Sequence, residues 1–270
     1  MGARREKRLA VLGHPVAHSR SPAMQNAALE QLGLGATWSY EAIDVTPEAF
    51  DEFVRGMEAD RFVGANVTVP HKLAAFGLAD SAGPAATAIG AANTLSFEAG
   101  RIVAENTDGP GLVDALPIDP AGSRALLIGA GGAARAALWA LVNAGADVVI
   151  WNRTASRAVE LAAELGGEAV VEPDAGEFDL IVNSSAAGLG GGDPFPDLPL
   201  APDRFRGGQV VVDLVYGASP SRLIESAAAA GALTVDGLEI LVRQGARSLA
   251  IWTGLQPSLE VMREAAARRP

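Results

Sequence analysis

Residues 125–134 narrow the folds open to this chain more than any other stretch. Ala125-Leu126-Leu127-Ile128 is an apolar run of the kind found in a strand buried on both faces. It passes directly into Gly129-Ala130-Gly131-Gly132-Ala133-Ala134, after which the sequence turns alanine-rich and helical. A G-x-G-x-x-A turn between strand and helix suits a dinucleotide. The first glycine permits the tight turn and the second lets backbone approach the pyrophosphate. The small third residue lets the helix pack closely, with its N-terminus facing the anion. Gly129, Ala130, Gly131, Gly132 and Ala133 are therefore candidate cofactor contacts.

A strand follows at Asp147–Trp151, and at its end, about 20 residues beyond the glycines, an NAD site would place a carboxylate on the ribose hydroxyls. The residues there are Asn152-Arg153-Thr154, with Arg157 one helical turn on. A carboxylate would repel a 2′-phosphate, whereas guanidinium groups donate charge-assisted hydrogen bonds to it, so the cofactor expected is NADP. The plainer alternative makes Thr154 a helix cap and both arginines a solvated face.

Short apolar runs alternate with amphipathic stretches along the whole chain, the pattern of parallel sheets covered by helices. The first half reads as strand Leu9–Gly13, a helix capped by Ser21 and opened by Pro22, and a stop at Gly33. Further elements are a strand near Tyr40–Asp44, a helix around Pro47–Met57 and a strand Phe62–Thr68. Residues 106–111 read as a turn and 115–123 as a linker. Beyond them come helix Ser156–Leu165, strands Leu180–Asn183 and Val210–Leu214, and a long helix about Leu238–Thr253. The expectation is α/β with two lobes. Residues 1–108, completed by C-terminal helices in 237–270, form a substrate domain with a mostly parallel sheet, and residues 109–236 form a Rossmann-type, doubly wound cofactor domain.

Composition removes several classes of function. A net charge of -11 offers no basic field for nucleic acid or anionic lipid. With no cysteine there are no disulfides and no thiolate chemistry, and the three histidines, His14, His18 and His71, lack the spacing of a metal site, so none is expected. The basic N-terminus, Met1–Arg8, reads as a frayed tail, because the apolar run after it is too short for a secretion signal. No stretch is long enough to span a membrane. A cytoplasmic enzyme, monomer or homodimer, acting on a small molecule is expected.

Four polar clusters lie outside the glycine turn. His18-Ser19-Arg20-Ser21-Pro22 can aim two hydroxyls at one carboxylate, though it could equally be a doubled helix cap. Asn66-Val67-Thr68-Val69-Pro70-His71-Lys72 puts a lysine at a strand's carboxyl end, where open α/β sheets bind ligands. Gly90-Ala91-Ala92-Asn93-Thr94 and Glu105-Asn106-Thr107-Asp108-Gly109 each read alone as turn chemistry. Together with the glycine turn, Asp236-Gly237-Leu238 and Gln244, in this order, they resemble the shikimate dehydrogenase family over nearly the whole chain.

The resemblance implies NADPH-dependent reduction of 3-dehydroshikimate to shikimate, a reversible step of aromatic amino-acid (chorismate) biosynthesis. It also implies roles. Ser19, Ser21 and Thr68 would hold the substrate carboxylate, Asn93, Asp108 and Gln244 the ring hydroxyls, and Lys72 with Asp108 the reacting oxygen. Tyr216 would lie near the substrate, with Leu214 and Gly237 beside the nicotinamide. The chemistry agrees, because a positioned ammonium stabilises and protonates the oxygen on which charge develops. The sequence departs from the family pattern at Gln25, where histidine is usual, at Ala92 for valine, and at Ala218 and Ser221 for proline and threonine. The last pair predicts a looser loop after Tyr216, and the glycine-rich stretch 188–193 predicts another. Two alternatives stand beside this reading: a quinate or mixed quinate/shikimate dehydrogenase, and a non-catalytic NADP-binding sensor that would need neither Lys72 nor Asp108.

Overall fold

The computed structural model describes residues 6–217 and 219–268; residues 1–5 of the expected frayed tail, like Ala218, lie outside them, whereas Lys7 and Arg8, expected in that tail, belong to the first strand. Contacts divide the chain into two compact units. One comprises the residues up to Thr107 and from Leu241 onward, the other Asp108–Ile240.

The first unit contains β1 (Lys7–Gly13), α1 (Ser21–Gln31), β2 (Trp38–Asp44), α2 (Phe50–Gly56), β3 (Phe62–Val67), α3 (Lys72–Leu78), β4 (Ser81–Ala82), α4 (Pro84–Ile89), β5 (Thr94–Glu98) and β6 (Arg101–Glu105). Its sheet order is β2-β1-β3-β5-β6-β4. Strand β1 runs parallel to both its neighbours, whereas β5 is antiparallel to β3 and β6. Leu12, Phe50, Met57, Val67 and Leu95 form the heart of one buried face. Removing such side chains from water, at about 25 cal/mol per Å², is the main force holding the layer together.

Two local expectations are corrected. Ser21 does not cap α1; Arg20 occupies the cap position, Ser21 is the first helical residue, and no side chain caps the helix. The hydroxyl of Ser19 instead accepts from the Ser21 amide at 3.3 Å, satisfying an orphan donor of the first turn from outside the helix. Gly33 ends the helix as its position suggests, with φ of 73° and the Leu34 amide reaching back to the Leu29 carbonyl at 2.8 Å. Residues 106–111 are not an isolated turn, because α5 (Asp108–Ala115) begins inside them. Pro110 sits in the first helical turn, where its missing N–H has no intrahelical partner to lose.

The second unit continues with β7 (Arg124–Ile128), α6 (Gly132–Asn143), β8 (Asp147–Trp151), α7 (Ala155–Leu165), β9 (Glu168–Ala169), β10 (Leu180–Asn183), β11 (Val210–Asp213), α8 (Arg222–Ala229) and β12 (Leu233–Val235). The order β12-β11-β10-β7-β8-β9, parallel at every pairing, is the doubly wound arrangement, with its reversal between β7 and β10. Apolar clusters cover both faces, Leu127, Leu138, Ile150 and Val182 on one and Leu126, Phe178, Ile181 and Leu223 on the other. That is why these strands read as unbroken apolar runs. The stretch 188–193 forms tight turns with positive φ at Gly188, Gly190 and Gly191, and Asp193 pairs with Arg222 at 3.0 Å. Helix α9 (Gly237–Thr253) starts in the second unit and continues in the first, where α10 (Leu259–Ala267) packs on α1.

Candidate active site

In the second unit, the turn between β7 and α6 has the shape a pyrophosphate requires. Gly129 has φ of 113°, a conformation that strains any side chain, and a Cβ there would stand 2.9 Å from Ser184 Oγ. Gly131 differs. Its backbone is ordinary, it is the N-cap of α6, and no protein atom lies within 4 Å of where its Cβ would be. The space above the helix N-terminus is open, while Ala134 is fully buried behind it. Asn152 turns its amide onto the Thr154 carbonyl at 2.9 Å. Thr154 takes the N-cap position of α7, as the capping alternative has it, though without a side-chain hydrogen bond. Arg153 is 84 % exposed, 3.8 Å from Asp197, and Arg157 is exposed as well. The donor set, backbone amides over the glycines and exposed guanidinium groups past β8, fits NADP. Gly237 and Leu214 meet closely; a Cβ on Gly237 would lie 2.5 Å from the Leu214 carbonyl oxygen, which explains the glycine. Tyr216 follows on the same half-buried stretch, and Asp108 is the first residue of α5.

In the first unit, β1 and β3 deliver their carboxyl ends side by side. A Cβ on Gly13 would lie 2.5 Å from Thr68 Cγ2, so the close approach requires glycine. Thr68 donates its amide to Leu12, and His14 donates to Val69, at 2.9 and 3.1 Å. The start of the loop that leads to Ser19 is thereby set beside Thr68. Lys72 opens α3, half-buried, and its carbonyl accepts from Ala92 at 2.9 Å, which fastens the Asn93 turn. On the other side of the 14–19 loop, His14 Nδ1 and Asp44 Oδ1 are 2.6 Å apart, and Asp44 Oδ2 accepts from the Val16 amide at 3.2 Å. The hydrogen bond from His14 holds the Asp44 carboxyl below its usual range. His71 is structural, bonded to the Val45 carbonyl at 2.7 Å and stacked on Phe50. Among the described residues no three histidine or acidic side chains converge as a metal site would need.

Asn93 and Gln244 meet directly. The Asn93 amide donates to Gln244 Oε1 at 3.1 Å and to Thr107 Oγ1 at 2.9 Å, and its carbonyl oxygen accepts from the Thr107 amide at 2.7 Å. Behind them lies a buried web that the sequence reading missed. Tyr40 donates to Asn66 at 2.7 Å, and Asn66 Nδ2 reaches Ser248 Oγ at 2.9 Å and the Asn93 carbonyl at 3.1 Å. Ser248 also bonds Thr94 and Thr107, at 2.8 and 3.1 Å. One signal was available: Ser248 stands four residues after Gln244 on one helix, so both share a face. Gln25, where histidine is usual, is fully buried and donates to the carbonyl of Gly245 at 3.0 Å, restoring a tie between α1 and α9. Ala92 is fully buried too.

The shikimate dehydrogenase substrate-binding domain model matches residues 11–95, the shikimate/quinate 5-dehydrogenase model residues 115–187, and the shikimate 5'-dehydrogenase C-terminal domain model residues 237–267. A shikimate dehydrogenase (NADP(+)) of Anaeromyxobacter dehalogenans is 46% identical over 93% of this chain and 91% of its own length. The crystal structure of shikimate 5-dehydrogenase from Thermus thermophilus, in complex with NADP(H) and shikimate, superposes with a TM-score of 0.89 at 43% identity, covering 98% of this chain and all of that one. A quinate dehydrogenase from Corynebacterium glutamicum in complex with NAD gives a TM-score of 0.84 at 29% identity, covering 97% of this chain and 98% of that one. With relatives this similar along its whole length, the chain belongs to the shikimate dehydrogenase family.

Proposed function

We propose that this chain is an NADP-dependent oxidoreductase that reversibly reduces 3-dehydroshikimate to shikimate in aromatic amino-acid biosynthesis, working in the cytoplasm as a monomer or homodimer. The observation that carries the reading is that Ser19, Ser21, Thr68 and Lys72 follow the carboxyl ends of β1 and β3, with Asn93 opening the antiparallel β5 and bonded to Gln244, in a chain whose second unit has arginine and no carboxylate directly after β8. The substrate-binding role goes to the first unit and the NADP-binding role to the second, whose boundaries fall at 107/108 and 240/241 rather than at the expected 108/109 and 236/237.

Bound NADPH supplies a hydride to the carbonyl carbon. Everything else falls to side chains. Ser19, Ser21 and Thr68 donate hydroxyl hydrogen bonds to the substrate carboxylate and so fix the ring's orientation. Asn93, Asp108 and Gln244 take the ring hydroxyls, and Tyr216 borders the substrate. The Lys72 ammonium, with Asp108 as the other member of the expected pair, donates its proton to the carbonyl oxygen as negative charge develops there; in oxidation the same group takes the hydroxyl proton back. The amides of residues 129–133 bind the pyrophosphate. Arg153 and Arg157 bind the 2′-phosphate, Asn152 and Thr154 border the ribose, and Leu214 and Gly237 flank the nicotinamide.

The quinate alternative has a neighbour of the same fold in its favour. Quinate carries an extra hydroxyl on the carbon that bears the carboxylate, so Ser19, Ser21 and Thr68 decide between the acids. The test is NADP and NAD reduction with shikimate or quinate, for the native protein and Lys72→Ala. The expected result is turnover of shikimate with NADP, a loss of about 10²–10⁴ in kcat for the variant, and retained shikimate binding. Turnover of neither acid would leave the sensor reading in place, and a fully active Lys72→Ala would remove the lysine from the mechanism.

A further inference from the structure

We propose that Asp213, at the end of β11, is a positioning residue for the dinucleotide, fixing the segments that frame the nicotinamide end of its site. The inference rests on the cofactor reading above and adds a residue to which that reading gives no part.

Asp213 is fully buried and ends a strand whose other members are all valine. A valine there would complete an apolar layer, whereas a buried carboxylate costs stability unless every lone pair is used. Burial pushes the Asp213 carboxyl upward, and hydrogen bonds from Ser221, Val215 and Asn183 pull the other way. These donors come from three separate segments: Asn183 Nδ2 and the Val215 amide reach Oδ1 at 2.9 and 3.1 Å, and Ser221 Oγ reaches Oδ2 at 2.5 Å.

Each donor has a second attachment. Asn183 Oδ1 accepts from the amide and hydroxyl of Ser185 at 3.1 and 2.7 Å, and Ser185 Oγ accepts from the Ala187 amide at 3.2 Å. The loop after β10 is thereby fixed, and within it Ser184 bonds the Ile128 carbonyl at 2.7 Å beside the Gly129 turn. Val215 holds the stretch after β11, whose Leu214 backbone is packed under Gly237. Ser221 also caps α8, accepting from the Ile224 amide at 3.3 Å, so the serine that replaces the family's threonine joins the start of α8 to Asp213. One carboxylate therefore ties the loops leaving β10 and β11, next to the reversal of strand order where such sheets bind nucleotides. The benefit of Asp213 is loop geometry, since valine would serve the core better.

The experiment is calorimetric titration of NADP and, separately, shikimate into native protein, Asp213→Asn, Ser221→Ala and Ser221→Thr, with thermal unfolding of each. Asparagine keeps the shape but presents an amide to Ser221, turning that hydrogen bond round. The expected result is NADP affinity lowered about tenfold in Asp213→Asn and roughly three- to tenfold in Ser221→Ala. Shikimate affinity should stay within about twofold in all variants, and Ser221→Thr, which retains the hydroxyl, should match the native protein. NADP affinities unchanged in both Asp213→Asn and Ser221→Ala overturn the inference, as does a parallel loss of shikimate affinity, the sign of a merely structural residue. Should Asp213→Asn fail to fold, the Ser221→Ala and Ser221→Thr pair decides alone. Native protein that binds no NADP removes the cofactor reading and this inference together; native binding with unaltered variants removes the inference only.

Discussion

The two units place the polar groups that meet the ligand differently. The second has apolar clusters on both faces of its sheet and buries Asp213 and Asn183 behind its loops, while the groups assigned to the phosphates are amides over an open Gly131 and an arginine that is 84 % exposed. The first carries its binding groups on a web of buried amides and hydroxyls, in which Asn93 and Gln244 already satisfy each other. In the second unit, affinity should therefore be separable from stability. In the first, the side chains that meet the ligand also hold the interior together, so the two should fall together.

The sharpest way to break that contrast is Gly131→Leu. No protein atom lies within 4 Å of the Cβ added there, so the fold should lose little beyond the N-cap preference, about 0.5–1 kcal/mol. NADP affinity should fall about 100-fold, roughly 2.7 kcal/mol, because leucine fills the space over the helix N-terminus. Calorimetry with NADP and urea unfolding separate the two quantities. A variant as tight as the native protein would mean that the pyrophosphate lies elsewhere.

Ser248→Ala makes the opposite test in the first unit. It deprives Asn66, Thr94 and Thr107 of a shared buried partner, at a cost of about 1–3 kcal/mol in urea unfolding. Shikimate affinity should weaken with it, because Asn93 loses the frame around Thr107, while NADP affinity should hold. Full stability with weakened shikimate binding would show that the two properties are separable here as well.

The same contrast explains what could be read in advance. The second unit was legible because a fully covered parallel sheet writes itself as apolar runs, and because the glycine turn is constrained by backbone geometry within a few residues. Strands 147–151 and 180–183 fall where the pattern puts them. The web in the first unit was not legible: Asn66 and Ser248 are 182 positions apart, and a buried hydroxyl looks like a surface one in sequence. Start-of-helix chemistry misled twice. Serine and proline at 21–22, and the glycine and proline near 110, carry the same residues as caps and turns, and tertiary packing decided which they became. Asp213 fell within the expected strand Val210–Leu214 and drew no role, although a lone acid closing a run of valines is itself a signal of a hydrogen-bonded interior carboxylate.

A smaller effect is expected at Arg153, which lies 3.8 Å from Asp197 with both side chains well exposed, an ion pair of little value to the fold. Arg153→Ala should leave unfolding unchanged and weaken NADP about tenfold, with NAD unaffected, since only the former brings a 2′-phosphate. Equal losses for both cofactors would place the arginine on some other part of the nucleotide.

The smallest effect tests whether coupling in the first unit extends to its exposed edge. Asp44 anchors the 14–19 loop through His14 and the Val16 amide, and its carboxyl is held below the usual range, chiefly by the His14 hydrogen bond. A carboxyl with a lower pKa folded than unfolded contributes stability that is complete above the unfolded value, about 3.9, and is lost as pH falls through the folded one. Asp44→Asn should therefore unfold at slightly lower urea than the native protein at about pH 6, and the two curves should converge below about pH 3.9. Because the pair is exposed, added salt should shrink the gap. The anchored loop carries Ser19 and leads into α1 at Ser21, so KM for shikimate should rise about twofold with kcat unchanged. A gap in stability that persists undiminished at low pH would assign it to lost packing rather than to the charge on Asp44. A KM that does not move while the gap behaves as expected would confine the coupling of binding and stability to the buried web around Ser248.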